Sequence, residues 1–69
     1  MNIIGSNVRK IREGKGWTQD QLAAKCNLLE WNISRGTLAK IESKVRRVTD
    51  IEVRLLSLAL NVEYKRLFE

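Results

Sequence analysis

Arg35, Gly36, Thr37, Ala39 and Lys40 fall in one short stretch of the chain. Two cations, a hydroxyl and two side chains of minimal size make a surface that can lie close to a ligand and still offer it hydrogen bonds. On a helix, this is the chemistry wanted for entering the major groove of duplex DNA, where arginine and lysine reach guanine edges. Gln19, opening the preceding helix, is placed to give a side chain and a backbone N–H to a phosphate. Other chemistries are hard to house. The 69 residues include no histidine and one cysteine, Cys26. There is thus no histidine base, no internal disulfide and no zinc set. With no glycine-rich phosphate loop and little room for a cleft, an enzyme is nearly excluded, and neither a metal nor a cofactor is expected.

Thirteen Lys and Arg against eight Asp and Glu leave a net charge of +5. That balance suits a polyanion, although many small domains are basic for solubility alone. Motif order has to decide. A chain of this length buries only about 60% of its unfolded surface. Its core is therefore marginal, and regular helix packing or a second copy must compensate. Cys26 reads as a small core residue rather than a redox group. No run approaches the ~18 apolar residues of a membrane span, and no signal peptide opens the chain. A membrane partner is not expected.

The elements that must position these residues are helical. There is no proline, there are four glycines, and no low-complexity stretch marks a linker, so residues 1–69 read as one domain. Thr18-Gln19-Asp20-Gln21 is a capping box, flanked by Trp17 and Leu22 as a hydrophobic staple. Thr49-Asp50-Ile51-Glu52 repeats the device with Val48 and Val53, and Ser34 is a third cap between Ile33 and Leu38. These starts predict an all-α fold of five helices over 3–15, 18–26, 34–43, 49–60 and 63–68. The first would bury Ile4, Val8 and Ile11, and the last would close the chain with Leu67 and Phe68.

Helices two and three form the informative pair. Leu22, Ala23 and Cys26 supply the apolar–small–apolar pattern that lets a second helix cross closely, and Ile33, Leu38 and Ile41 supply its apolar face. The fourth helix has two stripes: Val53, Leu56 and Leu60 on one side, and Ile51, Leu55, Leu58 and Val62 on the other. Either the chain covers the second stripe itself, or a second copy does through Leu55 and Leu58.

The strings IGSNVRKIREGKGWTQDQLA, ISRGTLAKIES, RRVTDIEVRLLSLALNV and a terminal RLF span nearly the whole chain. In this order they resemble the Cro/phage-repressor type of helix-turn-helix proteins. The resemblance implies a compact five-helix, lambda repressor-like fold with the helix-turn-helix at about 18–43. It further implies binding to operator-like duplex DNA, transcriptional regulation of bacterial or phage type, and a two-fold homodimer. By position, Arg35, Gly36, Thr37 and Lys40 fall where the family reads base edges. Thr18, Gln19, Arg46 and Arg47 fall where it holds phosphate, and Arg12 and Glu42 fall where it places a structural salt bridge. The expected location is the cytoplasm, on the nucleoid when DNA is bound.

Two departures stand out. Residues 27–33 make the turn longer than usual, and the insert is apolar. Either the second helix extends, or Leu28, Leu29 and Trp31 tuck onto the surface. Those three side chains also frame a rival reading, a protein-interaction module on the same fold that works as an antitoxin or bridging factor. Lys44 stands where the family favours glycine, and a left-handed conformation there would cost about 1 kcal/mol. Lys10, Lys15 and Lys25 read as solvated charge. Arg9 reads the same way, with reach to a phosphate as its alternative.

Overall fold

The computed structural model describes residues 2–69. Among them, α-helices Gly5–Gly14 (α1), Gln19–Leu28 (α2), Arg35–Glu42 (α3) and Asp50–Leu60 (α4) are followed by a 3-10 helix, Tyr64–Phe68. The architecture is all-helical, as the cap signals require, with the fifth element tightened into a 3-10 helix. No helix of the described residues is long and apolar enough to cross a membrane.

Three starts are set by local chemistry. Thr18 and Thr49 each accept from the backbone N–H three residues on, while the Gln21 and Glu52 side chains accept from the Thr18 and Thr49 N–H groups. Ser34 accepts from the Thr37 N–H at 3.1 Å without a reciprocal partner. Each boxed or capped helix thus begins just after its cap, where the first orphan N–H groups find an acceptor.

The first helix starts differently. It begins at Gly5 rather than at residue 3, and its cap comes from Asn2. The Asn2 Oδ1 accepts from the N–H groups of Ile4 and Gly5 at 3.1 and 3.0 Å. Its Nδ2 donates to the carbonyls of Ile41 and Arg46 at 2.7 and 3.1 Å. One buried amide therefore caps α1 and fastens it to the end of α3. Gly5 allows the approach, because a Cβ there would run into the Ile41 carbonyl oxygen.

The core gathers Ile4, Val8, Leu22, Cys26, Ile33, Leu38, Ile41, Val53, Leu56, Ala59, Leu60 and Leu67. Trp17 and Val48, the expected staples, pack half-buried against it, as does Ile11. Phe68 departs from expectation. It is 46% exposed and stacks instead on Tyr64 with ring centroids 5.3 Å apart. A 3-10 helix presents one narrow edge inward, and Leu67 takes it. The Asn7 amide donates to the Leu67 carbonyl at 2.8 Å, tying this last element to α1.

In the insert, α2 extends through Leu28. Glu30 adopts φ 63° and reverses the chain, and the Trp31 N–H returns to the Cys26 carbonyl at 3.1 Å. Trp31 packs on the core while Leu28 is 83% exposed. Lys44 takes the left-handed conformation, φ 68°. Its strain is tolerated because the N–H groups of Val45 and Arg46 close back on the Lys40 carbonyl.

The two glycines of α1 make opposite predictions. Gly14 has nothing within 4 Å of its missing Cβ, so Gly14→Ala should stabilise the fold by about 0.5–1 kcal/mol. Gly5→Ala must push α3 away and should destabilise it by about 1–3 kcal/mol. Thermal unfolding of the two variants checks both signs.

Candidate nucleic-acid interface

Along α3, Leu38, Ile41 and Glu42 point inward. Arg35, Gly36 and Lys40 are exposed on the far side, with Ser43 at its end, and Thr37 and Ala39 are half-buried at its margins. The Thr37 hydroxyl lies 3.2 Å from that of Ser34, so it is shared with the cap. Gly36 is not demanded by packing. A Cβ there would meet only the Ser34 hydroxyl at 3.7 Å, although glycine within a helix costs about 1 kcal/mol relative to alanine.

An open depression of about 640 Å³ lies on the surface where this helix meets its neighbours. Arg35, Ala39 and Ser43 line it from α3, Thr18, Gln19 and Asp20 from the start of α2, and Arg9 from α1. The structure thereby brings Arg35 to the same surface as Thr18 and Gln19. The capping box consumes the Thr18 and Gln21 N–H groups. Those of Gln19 and Asp20 have no partner among the described residues, which leaves two donors at the positive end of a helix dipole.

The floor is an ionic network. Arg12 Nε and Nη2 donate to the two Glu42 oxygens at 2.7 and 3.0 Å, and Arg12 Nη1 donates to the Trp17 carbonyl at 2.7 Å. The Gln19 Nε2 donates to Glu42 Oε1 at 3.0 Å. The hydrogen bond to Glu42 outweighs desolvation and raises the Arg12 pKa. The side chains of Arg12 and Glu42 are 9% and 3% exposed, so both charges are compensated internally. Gln19 is held by this network in one orientation and keeps one amide hydrogen for an outside acceptor.

Arg46 and Arg47 are not equivalent. Arg46 pairs with Glu52 through Nη1 and Nη2 at 3.0 and 2.9 Å, and Nη1 also donates to the Arg47 carbonyl. The Arg46 guanidinium, for which a phosphate role was expected, is engaged by the α4 capping box while its side chain stays 34% exposed. Arg47 remains exposed with no ion pair among the described residues. The hydrogen bond from Arg46 holds the Glu52 carboxyl below its ordinary pKa, with the Thr49 N–H assisting and burial opposing. Lys15 and Lys25 are not simply solvated, since their ammonium groups stand 5.3 and 4.6 Å from the Trp17 rings. Burial pushes the Cys26 thiol up to about 11, which leaves it protonated and inert at neutral pH.

On α4, Ile51 and Leu58 are 73% and 59% exposed, while Leu55, and Val62 just beyond the helix end, are half-buried. Ile51, Leu58 and Val62 border a depression with Arg54 and Tyr64. The chain leaves Ile51 and Leu58 open and partly covers Leu55 and Val62, the last packing against the core.

Sequence reasoning missed three participants. Ser43 continues the Arg35–Ala39 edge and was legible from its four-residue spacing. The Gln19–Glu42 bond and the Asn2 lock join residues far apart in the chain and left no local signal.

The fold and this surface define a DNA-binding regulator of the helix-turn-helix class. Over residues 8–67 the chain matches the family model described as helix-turn-helix, and it belongs to that family, of the Cro/phage-repressor type. No curated protein and no solved structure matches the chain.

Because the Glu52 pKa is depressed, the stability it contributes is complete above its ordinary value of 4.5 and is lost as pH falls through the folded value. Below that ordinary value the melting temperature should drop more steeply for the parent than for Glu52→Gln, which keeps an acceptor but has no charge to lose. Parallel melting curves against pH would show that the ion pair carries no acid sensitivity.

Proposed function

We propose that this protein is a transcriptional repressor or autoregulator that binds a palindromic operator as a homodimer. The observation that carries the reading is the open groove that Arg35 shares with the start of α2, where the Gln19 and Asp20 N–H groups are free. In this arrangement Arg35, Gly36, Thr37 and Lys40 read base edges in the major groove, while Thr18 and Gln19 hold a phosphate from the flank. Arg47, rather than Arg46, makes the phosphate contact after α3. Ile51 and Leu58, with Leu55 and Val62 at their margins, form the two-fold contact. That pairing would cover apolar surface the chain leaves open and would match operator symmetry.

The rival reading, a protein-interaction module, draws on one observation, the exposed Leu28 at the tip of α2. A stoichiometric protein partner, together with DNA affinity no better than nonspecific, would favour it.

Selection of binding sites from random duplex DNA tests the proposal, and the expected product is an inverted repeat with half-sites about one helical turn, roughly 10 bp, apart. On that site Arg35→Ala should cost about 1–3 kcal/mol and relax one base position. Arg47→Ala should weaken all sequences alike and shallow the salt dependence by about one unit. Equal losses for Arg35→Ala on selected and random DNA would refute the base-reading assignment.

Leu58→Glu should yield a monomer in sedimentation that still binds a half-site but loses its advantage on the full repeat. A dimer unaffected by this substitution would place the interface elsewhere.

A further inference from the structure

The groove beside α3 has a third wall that the reading above does not use. Arg9 lines it from α1, together with Arg35 from α3 and Thr18 and Gln19 from the start of α2. Its side chain is 63% exposed, and its Nε lies 3.2 Å from Glu13 Oε2, one turn along the same helix. Such exposed pairs contribute little to stability. Glu13 would not be orphaned if Arg9 left, because its carboxylate also stands 4.0 Å from Arg12 Nη2. The Arg9 guanidinium is therefore held in place yet cheaply released.

The charge balance of the groove points the same way. Arg12 and Glu42 neutralise each other in the floor. Of the remaining charged groups that line the depression, Arg9 and Arg35 outnumber Asp20, so an anion seated there meets a net positive surface. Arginine presents a planar fork that matches two oxygens of one phosphate.

We propose that Arg9 is a further phosphate ligand of this groove, clamping the DNA backbone from α1, and that Glu13 attenuates binding by competing with the phosphate for it. The proposal rests on the DNA-binding reading given above. It gives α1 a direct part in recognition and makes the Arg9–Glu13 pair a setting for overall affinity that leaves base preference unchanged.

The test uses the whole chain and a random-sequence duplex, with fluorescence anisotropy measured across a salt series. Arg9→Gln should lower affinity and shallow the slope of log K against log salt by about one unit. Glu13→Gln should raise affinity about 2–5-fold, the range set by releasing an exposed ion pair. In the double variant Arg9→Gln/Glu13→Gln that gain should vanish, and Arg9→Lys should restore the slope but only part of the affinity. Thermal melts of each variant report folding separately. An unchanged slope in Arg9→Gln, or a Glu13→Gln gain that survives without Arg9, overturns the proposal. If Arg47→Ala and Arg35→Ala still weaken binding while the Arg9 variants do not, this inference alone fails. If none of them does, the DNA-binding reading fails with it.

Discussion

The inner face of α3 carries a carboxylate where a hydrophobe would be expected, and the geometry of the site depends on how that charge is compensated. Glu42 receives two hydrogen bonds from Arg12 on α1 and one from Gln19 on α2. A buried ion pair of this kind contributes little net stability, because desolvation offsets the attraction, yet leaving one member alone costs about 3–5 kcal/mol. What it adds is angular definition. Apolar contacts tolerate rotation of one helix over another, whereas a two-oxygen, two-nitrogen fork does not. The angle at which α3 presents Arg35 and Lys40 is therefore tied to the position of α1, and Gln19 is oriented at the groove edge by the same carboxylate.

Around that anchor the chain compensates for a small core with economical local devices. Capping boxes start α2 and α4, and Asn2 performs the equivalent task for α1 while holding the end of α3. Gly5 permits backbone contact between α1 and α3 where a side chain would hold them apart. Positive φ at Glu30, Lys44 and Asn61 ends α2, α3 and α4 tightly, each at a conformational cost of about 1–2 kcal/mol for a non-glycine residue. Those costs are met by the core contacts that the sharp reversals bring together.

The helices and their faces were largely legible because their signals are local. Thr18, Ser34 and Thr49 each act within three residues, and the spacing of Leu22, Ala23 and Cys26 announces a close crossing. Arg35 and Lys40 were likewise readable, since a helix with Leu38 and Ile41 inward must turn them outward. Arg46 was not. Its neighbour Arg47 is chemically identical, and which of the two meets Glu52 depends on the path of the loop after Lys44. Phe68 misled for a similar reason, because an α-helical period assigns it inward and the tighter 3-10 winding does not.

The amino-acid order thus determined which segments coil, where each begins, and which side chains each must bury or expose, since capping and amphipathic periodicity operate over one or two turns. The spatial arrangement alone decided the partnerships across the chain: Asn2 with the end of α3, Gln19 with Glu42, Arg46 with Glu52, and Arg9 beside the groove. Apart from Arg46 and Glu52, which stand six residues apart, those pairings rest on distances between residues remote in sequence, and such distances exist only after the helices have packed.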